Sequence, residues 1–248
     1  MQPRGMNPSL QLRSPGIVIS LIAGAWVIAL AAQWSGSAIL LHHHTLIEGG
    51  PPLWLAVPFF LLGWQVMIGA MMLPASLPTI RLVEAEVGSR GAFLAAFAVV
   101  WTAFGLAAFA GDFTLHKIVD ATPWLAARPW IIEGGVLGLA GAYQFVPFKR
   151  RALDACRHPI ALLATSSRMG RGWVELGLHH GLACLASSWA LMLLMFAEGF
   201  ANLWWMLALT IAMVFETTHR YGQRATSAVG LVLLGLSVAT LVNGWAAA

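Results

Sequence analysis

The side chains best suited to chemistry in this 248-residue chain are its two cysteines, eight histidines and ten methionines. Neutral imidazole binds most late transition metals, and thiolates and thioethers favour Cu(I). These residues fall into groups. His42, His43 and His44 stand together, followed by Glu48. The stretch GDFTLHKIVD places Asp112, His116 and Asp120 at spacings of four, one face of a helix if the segment is helical. An acid so placed can orient the imidazole that binds a metal. Met67, Met71 and Met72 lie in WQVMIGAMMLP, and Met67 and Met71 share a helical face. Further on come Cys156-Arg157-His158-Pro159, then Glu175, His179, His180 and Cys184, then Met192 and Met195.

The segment from 174 to 197 is the richest. At about 100° per residue, His180, Cys184, Ser187, Ser188 and Met195 occupy roughly one third of a helix circumference. From His180 to Met195 the rise is about 22 Å, much of a bilayer's hydrocarbon thickness. Such a stripe of imidazole, thiol, hydroxyl and thioether suits a soft cation passed from ligand to ligand. The same residues also suit helix packing, since serine and small residues are common at membrane helix interfaces and cysteine behaves as a small hydrophobe. The histidine triplet, likewise, reads either as metal ligands or as polar residues at a membrane edge. A Gly-rich phosphate loop, a zinc-protease helix motif and paired CxxC elements are all absent.

The elements that position these groups follow from composition. Hydrophobic residues make up 59% of the chain and charged residues 10%, against about 25% charged in an average soluble domain. Mean hydropathy is +0.76. This excludes a soluble enzyme, a disordered tail and a nucleic-acid binder. Two cysteines make no disulfide framework, so both are expected as free thiols. A bilayer span needs roughly 20 predominantly apolar residues. Seven segments qualify: 16–41, 52–73, 91–111, 124–145, 174–197, 200–216 and 226–246. The first apolar run is too long for a cleaved leader. Glu198-Gly199 alone separates the fifth and sixth, which predicts a tight hairpin. The stretch 148–173 is expected as a loop with a short surface helix.

Charge orients the bundle. With the N-terminus in the cytoplasm, Arg4, Arg13, Arg81, Arg90, Lys149, Arg150, Arg151, Arg157, Arg168, Arg171, Arg220 and Arg224 all fall on that side, 12 of the 14 basic residues. Lys117 and Arg128 fall outside. The expectation is an all-α, polytopic transmembrane helix bundle of about seven spans. Residues 1–248 form a single membrane domain whose partner is the lipid bilayer and not nucleic acid.

Several stretches resemble the bacterial family of predicted metal-binding integral membrane proteins, which includes the tyrosinase-associated membrane copper chaperone. The resemblance covers roughly 60–220. Its landmarks are WQVMIGAMMLP (64–74), GDFTLHKIVDATPWLAARPW (111–130), GAYQFVPFKRRALDACRHP (141–159) and the run from Gly177 to Glu216. It implies copper as the metal, the bacterial inner membrane as the location, and delivery to a membrane or periplasmic cuproenzyme. This chain departs from the family at presumed ligands. Ala152 stands where relatives carry the first of two cysteines, leaving Cys156. Ala186, Ser187 and Ser188 replace a Gly-Cys-Cys element, while His180, Gly181, Cys184 and Trp189 remain. His158 stands where relatives usually have serine.

The resulting expectation is a copper-binding assembly factor rather than an enzyme. Met67, Met71, Cys156, His180 and Cys184 form an inner acquisition site. Met192, Met195, His42, His43, His44 and His116 form an outer handover site. The alternative is a non-metal structural or assembly subunit of a larger membrane complex. A haem-bearing membrane oxidoreductase is a third class, recognisable by a Soret band.

Overall fold

A bilayer offers no water to an exposed backbone, so an apolar chain satisfies its own N–H and C=O groups by forming helices. The computed structural model describes residues 16–36, 51–83, 89–157, 172–197 and 202–247, and these are helical almost throughout. The helices are α1 (Gly16–Trp34), α2 (Leu53–Val83), α3 (Ser89–Asp120), α4 (Pro123–Ala126), α5 (Pro129–Tyr143), α6 (Pro147–Arg157), α7 (Trp173–Ala197), α8 (Leu203–Thr218) and α9 (Gly222–Ala247).

Each of the seven expected segments holds a helix. Five of these helices, α1, α2, α3, α7 and α9, are long and apolar enough to cross a membrane. A sixth crossing arises if α5 and α6, which meet at a 65° bend, count as one broken span, and α8 is a shorter apolar helix of 16 residues. The segment 111–120 is helical, as the last turns of α3, and the short helix expected within 148–173 is α6, which buries Lys149, Ala152, Leu153 and Cys156 rather than lying wholly on the surface. Residues 37–50, 158–171 and 198–201, with His42, His43, His44, His158 and the Glu198-Gly199 hairpin tip, lie outside the described residues.

α7 runs through the middle of the bundle against α3, α5 and α6, while α2 packs on α1, α3 and α8, and α9 closes on α5. Small residues allow the closest of these approaches, as is usual where the helices have no hydrophobic drive to associate. A Cβ on Gly177 would lie 2.5 Å from the Phe93 carbonyl oxygen, and one on Gly181 would lie 3.1 Å from Val100. These two glycines, four apart on α7, seat α3 directly against it. Polar side chains stitch the other seams: Trp64 Nε1 donates to Trp101 O (2.8 Å), Gln65 Nε2 to Thr102 Oγ1 (2.6 Å) and Trp26 Nε1 to Ala70 O (3.1 Å).

The N–H groups entering the bend between α5 and α6 are satisfied locally. Gln144, Phe145 and Val146 donate to the carbonyls three residues back, and Pro147, which has no N–H to satisfy, opens the next helix. Just beyond the bend, Lys149 is wholly buried, against its expected place among exposed cytoplasmic charges. Its Nζ lies 2.8 Å from Glu216 Oε2 of α8 and donates also to Gln144 Oε1. The counter-charge 67 residues away is what allows a lysine into the interior.

Candidate metal centre

The inward face of α7 carries the stripe expected from its spacing: His180, Cys184, Ser187, Ser188 and Met195 are all buried, and Met192 is buried as well. His179, one residue off this face, is exposed and sits 3.6 Å from Glu175. The glycines at 177 and 181 turn the same side of α7 toward α3, which places the His180 ring between Phe93 and Phe97, with centroids 5.6 and 5.9 Å away.

Cys184 is the focus of the polar groups. The hydroxyls of Ser76 (α2) and Ser188 and the indole of Trp101 (α3) lie within interaction range of its sulfur. Ser188 Oγ donates to the Cys184 carbonyl at 2.7 Å and stands 3.8 Å from Met72 Sδ. α6 brings Cys156 to the same place. Its thiol neighbours the Ser187 hydroxyl and shares the buried interior with Cys184, near enough for the two to interact electrostatically. Both cysteines are buried free thiols. Four helices thus contribute to one cluster, α2 with Met72 and Ser76, α3 with Trp101, α6 with Cys156, and α7 with the rest.

The cluster is under-satisfied. Ser76 Oγ, Trp101 Nε1 and both nitrogens of His180 make no hydrogen bond of ordinary geometry, although all are buried. Leaving such a group unpaired costs on the order of 1–3 kcal/mol, so two of them beside the Cys184 sulfur, with the unpaired His180 one turn away on α7, call for an explanation. A thiolate–metal unit supplies one. Hydroxyl and indole donors can point at a thiolate, a neutral imidazole nitrogen can bind a late transition metal, and a monovalent soft cation offsets thiolate charge.

The expected ligands are distributed as follows. Cys156, Cys184 and His180 belong to the region just described. Met72, rather than Met67 or Met71, brings its sulfur to Ser188. The reason is rotational: adjacent residues on a helix point about 100° apart, and Met67 instead borders a cavity facing α1 and α8. Met71 is buried in the core, as are Met192 and Met195 on α7. His116 lies toward the far end of α3. Its Nδ1 donates to Asp112 O at 2.9 Å, and it lines a cavity of about 260 Å³ with Asp112, Glu133 and Phe196. Among the described residues no three His, Cys, Asp or Glu side chains converge as a metal-binding group. Any site here must rest on fewer such ligands, with thioether help. Ser76 and Trp101 escaped the sequence reading, and the spacing of four from Met72 to Ser76 was the one signal for the former.

The PpoB2 copper-chaperone family matches residues 61–240, more than two thirds of the chain. The chain belongs to this family. No curated protein and no solved structure matches it significantly. The copper-chaperone match runs from within α2 into α9 and so includes Met72, Ser76, Trp101, Cys156, His180, Cys184 and His116. It leaves out α1 and the histidine triplet at 42–44.

Proposed function

We propose that this copper chaperone carries Cu(I) as its cargo on Cys156 and Cys184, with His180 and Met72 completing the coordination. The convergence of two buried thiols from α6 and α7 is the observation that carries this reading. Cu(I) tolerates low coordination numbers, and soft sulfur donors select it over harder divalent ions. Binding displaces thiol protons, and the hydroxyls of Ser76, Ser187 and Ser188 with the Trp101 indole then donate to sulfur.

The protein acts in the bacterial inner membrane as a seven-span bundle with its N-terminus in the cytoplasm. The twelve basic residues assigned to that side support this orientation, although Lys149 among them answers to Glu216. Copper passes toward Met192 and Met195 along α7. His116 receives it at the far end of α3, and His42, His43 and His44, expected from the sequence to serve the same handover, help pass it to a membrane or periplasmic cuproenzyme. The distance along α7 and the run of buried sulfur on it favour such a path.

Elemental analysis and competition with a Cu(I) chelator test the proposal. Purified C156S/C184S is expected to lose this tightly bound copper, while wild type retains it. Unchanged copper content in the double variant would overturn the thiol site and favour the reading as a structural subunit of a membrane complex.

A further inference from the structure

All seven methionines among the described residues are buried, and four of them belong to neither the thiol cluster nor α7. Met67 and Met71 lie one turn apart on α2, and Met206 and Met213 lie two turns apart on α8, the helix packed beside it. Methionine in a core usually fills space. Here Met67 and Met206 instead border a cavity of about 330 Å³ between α1, α2 and α8.

The lining of this cavity is chemically selective. Trp64 and Phe60 present aromatic rings to it, and Gln33 gives it an amide. Among the described residues no carboxylate, imidazole or hydroxyl borders it. Trp64 is fixed in place by its bond to Trp101 O, so its ring is a rigid wall. A hydrated divalent cation finds a single side-chain oxygen, that of the Gln33 amide, in such a lining. A soft monovalent cation finds two methionines and an indole, the ring that attracts cations best.

We propose that Met67 and Met206, with the ring of Trp64, form a second Cu(I) site in the cavity between α1, α2 and α8, separate from the two thiols. The proposal rests on the reading of this chain as a Cu(I) carrier, and its chemistry differs from that of the thiol site in one measurable respect. A thiol gives up a proton when it binds a metal, so its affinity weakens in acid. A thioether has no proton to lose, and its affinity stays level with pH.

The experiment titrates the full-length protein in detergent with Cu(I) against a chelator of known affinity, between about pH 5 and about pH 8. Wild type is expected to bind about two equivalents, one weakening with acid and one not. C156S/C184S keeps the pH-independent equivalent. M67L/M206L, whose substitutions nearly conserve volume and so preserve the packing, loses that equivalent and keeps the pH-dependent one. The proposal falls if M67L/M206L binds as wild type does, which includes the case of a cavity occupied by a lipid acyl chain. A single acid-sensitive equivalent in wild type, abolished by C156S/C184S, also overturns it while leaving the thiol site intact. Loss of copper in M67L/M206L but not in C156S/C184S would retain this site and remove the other.

Discussion

Lys149→Met is expected to cost the folded protein about 3–5 kcal/mol, because removing one partner of a buried ion pair leaves the other charged and unpaired. The lysine is fully buried and Glu216 is nearly so. Glu216 Oε2 depends on Lys149 for its 2.8 Å contact, and Oε1 makes no hydrogen bond of ordinary geometry, with the Thr226 hydroxyl nearby. Gln144 would lose its bond to Nζ as well. K149M/E216L, in which neither charge remains, is expected to recover most of that loss, since an apolar pair of similar volume often equals or exceeds a buried salt bridge in stability. Unfolding midpoints in mixed detergent read both variants. A loss below about 1 kcal/mol in K149M would mean that Glu216 finds another partner or that water reaches it.

The second large effect comes from the seam between α3 and α7. Gly177→Ala introduces a methyl group 2.5 Å from the Phe93 carbonyl oxygen and 2.8 Å from Ala96 Cβ. The obstacle at Phe93 is backbone, which cannot rotate away as a flexible side chain would, so α3 must shift. Overpacking of this kind costs roughly 1–3 kcal/mol. The shift has a local consequence too. Phe93 and Phe97 flank His180, and Trp101, two turns along from Phe93, faces Cys184. Retracting α3 withdraws this support, and loss of groups that orient a metal site typically lowers affinity 10–100-fold. G177A is therefore expected to reduce both the unfolding midpoint and Cu(I) affinity. A variant equal to wild type in both would show that the two helices are not seated on this glycine.

The helices were largely legible because a bilayer solvent imposes apolar runs of a set length, and all seven apolar segments contain one. Their inward faces were less so. In α2, apolar residues surround the helix, so nothing in the sequence separates the direction of Met71 from that of Met72. In α7 the stripe was legible because imidazole, thiol and hydroxyl residues repeat at helical spacing against a background of leucine. Long-range pairing was invisible. Lys149 sits in the sequence KRR and reads as one of three loop charges, yet Glu216 draws it inside while Arg150 and Arg151 stay exposed. The sequence left the helicity of 111–120 open for a related reason: Asp112, Lys117 and Asp120 mark the end of an apolar run, not the end of the helix that carries it.

The 65° bend before α6 makes that helix a short lever whose tip is Cys156. From Pro147 to Cys156 the arm is about 13 Å long, so a rotation of about 10° at the bend displaces the thiol by about 2 Å. That is enough to make or break a bond between sulfur and a shared ion. The arm is tethered at three points, near its pivot by Lys149 on Glu216, midway by Asp154, which accepts from Gln223 Nε2 of α9 at 2.8 Å, and at its tip by Arg157 Nη2 on His219 O at 2.5 Å. These anchors belong to α8, the residue that ends it and α9. The gap between the two cysteines is therefore set in part by helices that carry neither of them.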